Sequence, residues 1–292
     1  MLYTIENKTL KVSVDTLGAE LQSIYSKKTE TEYLWQGNEK YWKGRASNLF
    51  PVIGRLYGGK YTYDGNEYEL GIHGFARKSE FTLAARTATK LSFTLKESEE
   101  TLKDYPFRFT LTITYQIKEN KLSCLYTVTN DDEKELIFTV GGHPGINVPF
   151  EKNDKFENYF LEFSENTKPV WHTLSGSFMS GKVRSYPLKK GVVMPLTHEI
   201  LANDAIVLGK TSRKVTLKSK ASKKSIEFEY PDFKYLGVWQ AAAPDTPYVC
   251  LEPWSSLPST DGKPDKLETK FDMSHLNPGE SEQKIWMLTV VE

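Results

Sequence analysis

The stretch that decides the fold is Phe109-Thr-Leu-Thr-Ile-Thr-Tyr-Gln-Ile-Lys-Glu-Asn-Lys-Leu-Ser-Cys-Leu-Tyr-Thr-Val128. Apolar and polar residues alternate on both sides of the polar turn at residues 118–121. Because successive side chains of a strand point to opposite faces, this period of two gives each arm one apolar face. The stretch therefore predicts an antiparallel hairpin that buries one side.

The same alternation extends outward over most of the chain. It predicts about twenty short strands separated by turn signals, which is typical of an all-β sandwich or barrel. Residues 61–70 form a second clear hairpin, because Asp64-Gly65 tolerates the positive φ of a tight turn. Residues 41–59 predict a structured loop, and residues 97–104 a short helix. No repeat or linker divides the chain, so we expect a single domain over residues 1–292, a large antiparallel β-sandwich.

Composition narrows the possible partners. The 292-residue chain has 38 basic and 38 acidic residues and therefore no net charge. This balance argues against nucleic acid and anionic membranes, which attract a basic excess. Cys124 and Cys250 lie far apart in apolar runs, which indicates buried thiols and not a disulfide framework. No signal peptide and no apolar run of roughly 18 residues is visible, so we expect a cytoplasmic protein.

The segment Thr139-Val-Gly-Gly-His-Pro-Gly-Ile-Asn-Val-Pro-Phe150 is the most distinctive in the chain. A predicted strand, residues 136–140, runs into it, and glycines and prolines flank His143. Glycine lets backbone approach a ligand closely, and proline fixes the direction of the chain. We expect a shaped turn that presents His143, with an incidental histidine as the simpler alternative. His73 lies in a similar glycine-flanked setting. Three further histidines lie in polar loops and are expected to be structural or inert: His172, His198 and His275.

Glu252 is the unusual carboxylate, because it lies inside the apolar run Val249-Cys-Leu-Glu-Pro-Trp254. Charged residues are rarely buried unless they are paired or functional. Burial would raise the pKa of Glu252 toward the range in which a carboxylate is a useful general base. A buried salt bridge to Arg55 or Arg45 is the alternative.

Other chemistries have less support. His73, His143 and Glu252 would offer a metal two imidazoles and a carboxylate, but the chain has no His-x-His, His-x3-His or Cys-x2-Cys spacing. It also lacks the Gly-x-Ser-x-Gly elbow of a serine hydrolase. Glycoside hydrolysis by two carboxylates, Glu252 and Asp204, stays open.

Four motifs occur in a distinctive order: Asn48-Leu-Phe-Pro-Val-Ile-Gly-Arg55, Gly71-Ile-His-Gly-Phe-Ala-Arg77, Gly142-His-Pro-Gly145 and Leu251-Glu-Pro-Trp254. In this order and spacing they resemble the aldose 1-epimerase (galactose mutarotase-like) family, and most closely its LacX-type branch. The resemblance covers nearly the whole chain. It implies a large antiparallel β-sandwich with its site in a broad cleft, no metal or organic cofactor, a small-molecule sugar or sugar phosphate as partner, and a monomer or homodimer.

The resemblance also implies roles for individual residues. Glu252 would be the general base and His143 the general acid of mutarotation, which interconverts the α and β anomers of a sugar by opening and closing its ring. Arg55 and His73 would bind sugar hydroxyls. Asp204, in Asn203-Asp-Ala-Ile206, matches the family's later aspartate through a short motif only.

Two departures from the family pattern bear on the substrate. Arginines in Gly54-Arg-Leu56 and Phe75-Ala-Arg-Lys78 resemble those of hexose-6-phosphate epimerases. We therefore expect Arg45, Arg55 and Arg77 with Lys78 to meet a phosphate, because the planar guanidinium suits it. Pairing of Arg77 with a surface carboxylate is the alternative. The second departure is Gly145-Ile-Asn147, where the resemblance implies a small residue followed by an aromatic one, and we expect this segment to influence the choice of substrate.

A non-catalytic carbohydrate-binding protein or sugar sensor on the same fold is the alternative function. It would use aromatic residues such as Trp239 and Trp254 but would not need both His143 and Glu252.

Overall fold

Twenty-five strands, nearly all of them paired antiparallel, form the framework of the computed structural model, which describes all 292 residues. The strands of the first half are β1 (Leu2–Glu6), β2 (Leu10–Asp15), β3 (Leu21–Ser26), β4 (Thr31–Glu32), β5 (Ala46–Leu49), β6 (Lys60–Tyr63), β7 (Asn66–Glu69), β8 (Thr82–Arg86), β9 (Lys90–Lys96), β10 (Phe109–Lys118), β11 (Lys121–Asn130), β12 (Leu136–Phe138) and β13 (Gly141–Asn147). Those of the second half are β14 (Tyr159–Phe163), β15 (Val170–Ser175), β16 (Phe178–Ser185), β17 (Val193–Pro195), β18 (Ile206–Gly209), β19 (Lys214–Ser219), β20 (Ser225–Glu229), β21 (Tyr235–Trp239), β22 (Tyr248–Trp254), β23 (Asp265–Lys266), β24 (Ser274–Leu276) and β25 (Ser281–Val291).

Helices are few and short. The single α-helix, α1 (Glu99–Asp104), lies where the sequence predicted a short helix, and Ser98 caps it by accepting a bond from the Thr101 amide. One-turn 3-10 helices occur at Tyr57–Gly59, Ala76–Lys78, Phe156–Asn158 and Leu267–Thr269. No helix is long and apolar enough to cross a membrane.

Two large sheets dominate the architecture, and they confirm the predicted all-β sandwich. One has nine strands in the order β17-β14-β19-β20-β25-β11-β10-β9-β8. The other has seven strands in the order β16-β15-β18-β21-β22-β13-β5. Smaller sheets, the largest formed by β1 to β4, cover the flanks.

The hairpin predicted from residues 109–128 lies inside the nine-stranded sheet, between β25 and β9. β10 and β11 pair from Phe109 opposite Asn130 to Lys118 opposite Lys121, as the alternation predicted. Along both strands, partly or fully exposed side chains, mostly polar, alternate with buried and mainly apolar side chains. The buried apolar side chains belong to one cluster of 62 buried apolar residues, which forms most of the core.

A buried polar network joins the two sheets beneath β13. Asn48 of β5 donates to the Tyr115 hydroxyl at 3.0 Å and accepts from the Tyr126 hydroxyl at 2.8 Å. Trp286 of β25 in turn donates to the Tyr126 hydroxyl at 3.2 Å. A side chain at Gly142 would come within 2.8 Å of the Trp286 indole nitrogen, so only glycine lets β13 lie this close to the opposite sheet.

The structure corrects two local expectations. Residues 41–59 were expected to form a loop, yet β5 lies within them, because its backbone pairs with β13. The segment around His143 is not a turn: residues 141–147 form a strand of the seven-stranded sheet, between β22 and β5. Its glycines and prolines shape a buried strand, which places His143 in the interior of a sheet.

Candidate active site

His143 and Glu252 come together because β13 and β22 are neighbours in the seven-stranded sheet. Gly141 pairs with Trp254 and Gly145 with Cys250, so the antiparallel register puts His143 opposite Glu252. Side chains opposite one another on neighbouring strands share a face of the sheet. The Nε2 atom of His143 lies 3.3 Å from Oε1 of Glu252.

Both side chains of this pair are removed from water. Glu252 is 1% exposed and His143 8%. The second carboxyl oxygen of Glu252 accepts a bond from the Trp254 indole at 3.2 Å. No arginine contacts the carboxyl within salt-bridge distance, so the alternative of a buried salt bridge to Arg55 or Arg45 is wrong.

Burial changes the protonation of the pair. It raises the pKa of Glu252 well above the ordinary 4.5, and the nearby charge of Asp204 acts in the same direction. It lowers the pKa of His143 to about 3, and the charge of Arg77 contributes to this shift. Both shifts favour the neutral forms, because a low-dielectric site penalises charge. Together the two shifts favour a carboxylic acid and a neutral imidazole over an ion pair.

His73 lies beside His143, with ring centroids 5.6 Å apart and the rings nearly perpendicular. The backbone amide of Gly54 donates to its Nδ1 atom at 3.0 Å. An accepting Nδ1 fixes the tautomer, so Nε2 carries the hydrogen and can donate it. Burial, followed by the charges of His143, Arg77 and Arg55, holds the pKa of His73 well below its ordinary value. His73 is therefore a neutral donor.

Arg55 and Arg77 line the same cavity and form no ion pair with any carboxylate. Arg77 donates through Nε to the Ile72 carbonyl at 3.2 Å, and burial, opposed by Glu20 and reinforced by Arg55, lowers the pKa of its guanidinium. The surface-carboxylate alternative for Arg77 is thus wrong. Arg45 does not line the cavity, since its Nη1 is bound to Gln22, and Lys78 does not line it either.

These residues surround a cavity of about 510 Å³. Asp204 lies on its wall, and the Asp204 carboxylate accepts a bond from the Ala205 amide at 2.8 Å. The lining combines charged, polar and aromatic side chains: Trp42, Ser47, Arg55, His73, Arg77, His143, Ser177, Asp204, Trp239, Gln240, Glu252 and Trp254, among others. All six predicted site residues are in this set, so the structure brings them together.

The segment that was expected to influence substrate choice lies elsewhere. Ile146 belongs to the buried core, and Asn147 donates through its amide to the carbonyls of Glu32 and Leu34. Neither residue lines the cavity, so neither contacts a substrate bound there, whereas a side chain at Gly145 of the same segment would lie 3.3 Å from the cavity-lining Trp42. Three other histidines also lie outside the cavity lining, each against a neighbour: His172 against Tyr235, His198 against Phe156, and His275 against Glu135.

Ligand-type atoms of His143, Cys250 and Glu252 lie within 4.8 Å of one another, a grouping that sequence spacing did not indicate. Cys250 and Glu252 are two residues apart on β22 and therefore point to the same face. Burial, with the adjacent Glu252, raises the pKa of the Cys250 thiol well above its ordinary value, so the thiol is protonated. A protonated thiol is a poor metal ligand.

Comparison with known proteins agrees with this geometry. The family model described as Aldose 1-epimerase matches residues 1–282. The chain belongs to the aldose 1-epimerase family.

Relatives of this epimerase-family chain include the plasmid-encoded LacX protein of Lactococcus lactis subsp. lactis, 32% identical over the full length of both chains. Among solved structures, a galactose mutarotase related enzyme from Lactobacillus acidophilus is 34% identical with a TM-score of 0.96, covering 100% of this chain and 98% of that one. A galactose mutarotase-like protein from Lactobacillus casei ATCC 334 is 33% identical with a TM-score of 0.94, and each chain is covered completely. The resemblance inferred from the four motifs is therefore confirmed.

Sequence reasoning missed Trp42, Ser47, Ser177 and Gln240 in the cavity of this epimerase-family chain. They belong to separate segments of the chain, which are brought to the cavity only by the order of strands in the sheet. Only Trp42 had a local signal, since it lies two residues before Gly44 in an aromatic, glycine-containing stretch.

Proposed function

We propose that the protein is an aldose 1-epimerase that interconverts the α and β anomers of a hexose or hexose phosphate. The observation that carries the proposal is the His143–Glu252 pair, 3.3 Å apart on the wall of a polar cavity. Family membership and the six converging residues support it.

The reaction needs one group that accepts a proton and one that donates a proton. One member of the pair removes the proton from the C1 hydroxyl while the other protonates the ring oxygen as the C1–O5 bond breaks. The open-chain aldehyde turns about its C1–C2 bond and the ring closes with the roles reversed. In the forward half, we assign Glu252 as base and His143 as acid.

The pair holds the single proton that this exchange requires. The assigned starting form is carboxylate and imidazolium, whereas burial favours carboxylic acid and neutral imidazole. These forms differ by the transfer of one proton across 3.3 Å, and such coupled groups titrate as a pair. We propose that sugar hydroxyls and the neutral donor His73 stabilise the ionic form when substrate replaces water.

Arg55 and Arg77 favour a substrate that carries a negative charge. Neither guanidinium has a carboxylate partner, and Arg77 uses only its Nε, for the Ile72 carbonyl, so the remaining donors are available to an anion. Arg55 is exposed, which places its charge at the mouth of the cavity, where a substituent far from C1 would lie. We therefore propose a hexose phosphate ahead of the free sugar.

The test is anomer exchange measured by NMR or polarimetry against a panel of free and 6-phosphorylated aldoses. Glu252→Gln and His143→Asn are each expected to reduce the acceleration by about 10²–10⁴-fold, because each removes one proton-transfer group. Glu135→Gln and His275→Asn are matched controls, since this exposed pair lies away from the cavity.

If either cavity variant retains the wild-type rate, the acid/base assignment is wrong. If the wild-type protein accelerates no aldose but binds one, the non-catalytic carbohydrate-binding alternative applies.

A further inference from the structure

Trp42 is the aromatic residue whose ring lies nearest to the His143 imidazole. Its indole ring lies 4.7 Å from the His143 imidazole, with 31° between the planes. Trp239 stands edge-on to both rings, 5.7 Å from Trp42 and 5.3 Å from His143. Trp42 and Trp239 both line the cavity, so the imidazole lies in a corner formed by two indoles.

Hydrogen bonding alone does not fix the plane of the His143 ring. A functional histidine is usually oriented by a bond to its second nitrogen. Here Nδ1 is buried and has no hydrogen-bond partner, and Glu252 is the one charged partner of Nε2. The aromatic contacts must therefore supply the orientation that a hydrogen bond supplies elsewhere.

The loop at residues 36–45, here called the Trp42 loop, is built to hold this indole. The Trp42 amide donates to the Asn38 carbonyl at 3.0 Å, and the Trp42 carbonyl accepts from the Trp35 indole at 2.9 Å. Lys40 forms an ion pair with Asp245, which ties the loop to the chain between β21 and β22. These contacts fix the backbone on both sides of the Trp42 side chain.

We propose that Trp42 is a positioning residue for the His143–Glu252 pair. Its indole covers one face of the imidazole, fixes the plane of the ring and keeps water away from the pair. This inference rests on the proposed function only for the role of the His143–Glu252 pair. The contact between the Trp42 indole and the His143 imidazole does not depend on that function.

If the Trp42 indole shields His143 from water, its removal should change the pKa of the His143 imidazole. The ionisable groups around His143 are Glu252 and Cys250 on β22, His73, and Arg77 with its neighbour Arg55. Removing the indole would hydrate the imidazole while leaving all these groups in place. The pKa of His143 would then rise from about 3 toward the ordinary 6.5, and that of Glu252 would fall.

The test is NMR titration of the His143 imidazole, assigned with His143→Asn, in wild type, Trp42→Ala and Trp42→Phe. We expect Trp42→Ala to raise the titration midpoint by about one pH unit or more, because desolvation is the largest cause of the shift. Trp42→Phe keeps an aromatic cover and should stay near wild type. Trp171→Phe, a tryptophan outside the cavity, is the control.

Anomer exchange supplies the second measurement. In Trp42→Ala, the acidic limb of the pH–rate profile should move to higher pH by the same amount as the His143 midpoint, whereas the wild-type rate should stay level down to its own lower midpoint. An unchanged His143 midpoint in Trp42→Ala would overturn the inference whether or not the protein is an epimerase. Absence of any anomer exchange in wild type would overturn only the proposed function.

Discussion

Burying the Glu252 carboxyl costs folding free energy, because the unfolded chain can release its proton to water more easily. Below the ordinary pKa of 4.5 both states are protonated and there is no penalty. Above 4.5 the folded state retains a proton that the unfolded state has lost, so stability falls as the pH rises, until the raised pKa of the folded state is reached. The penalty is about 1.4 kcal/mol for each unit by which the folded pKa is raised.

Glu252→Gln should therefore stabilise the protein at neutral and alkaline pH while it removes activity. The glutamine amide oxygen can still accept the bond from Trp254, and no proton has to be retained. Chemical denaturation between pH 6 and 9 should show wild type losing stability relative to the variant, whereas Glu135→Gln should follow wild type throughout. If Glu252→Gln were less stable than wild type at every pH, the carboxyl would be a structural group.

Individual site residues could be predicted where their local sequence setting is itself unusual. Glu252 in an apolar strand and His143 between glycines are visible without a structure. That Arg45 and Asn147 do not line the cavity could not be predicted, because their partners, Gln22 and the carbonyls of Glu32 and Leu34, are set by tertiary contacts. No local sequence pattern reveals that a polar side chain is already hydrogen-bonded to a residue far away in the chain.

Among the elements, the Trp42 loop depends on one glycine for its shape. A side chain at Gly44 would fall 2.6 Å from Cζ2 of the Trp42 indole, so the chain folds back against the ring. Gly44→Ala should displace the indole without removing it. We expect the variant to raise the His143 titration midpoint as Trp42→Ala does, with little loss of thermal stability, because the loop lies outside the main core. Gly65→Ala, at a hairpin turn where φ is 75°, should cost stability through backbone strain but leave the midpoint unchanged, and it is the control for a glycine substitution away from the site. An unshifted midpoint in Gly44→Ala would mean that the indole adapts.

Element boundaries show where sequence patterns stop being sufficient. β10 and β11 were predictable because alternation and a polar turn define a hairpin locally. β13 was predicted as a turn because glycine and proline usually interrupt strands. It is a strand because its backbone pairs with β5 and β22, and position 142 is glycine because a side chain there would meet Trp286, a residue more than a hundred positions away in the opposite sheet.

At the scale of the whole molecule, the site is tied to the core. β13 carries His143 on the cavity side and packs through Gly142 onto the network of Asn48, Tyr126 and Trp286. The cluster of 62 buried apolar residues includes members of both large sheets, for example Leu111 of β10 and Leu236 of β21. The position of the catalytic candidates therefore depends on packing between the sheets, which explains why sequence spacing alone could not give their distance.

We propose on this basis that residues 1–292 unfold as one cooperative domain. Urea unfolding followed by tryptophan fluorescence and by far-UV circular dichroism should give coincident single transitions. Leu111→Ala and Leu236→Ala lie in different sheets, and each should cost about 2–5 kcal/mol because it leaves a cavity in the shared core. Each should move the whole transition, at both probes, to lower urea. If Leu236→Ala shifted only part of the fluorescence change and left the remainder at the wild-type midpoint, the seven-stranded sheet would be unfolding separately, and the site would depend on that sheet alone.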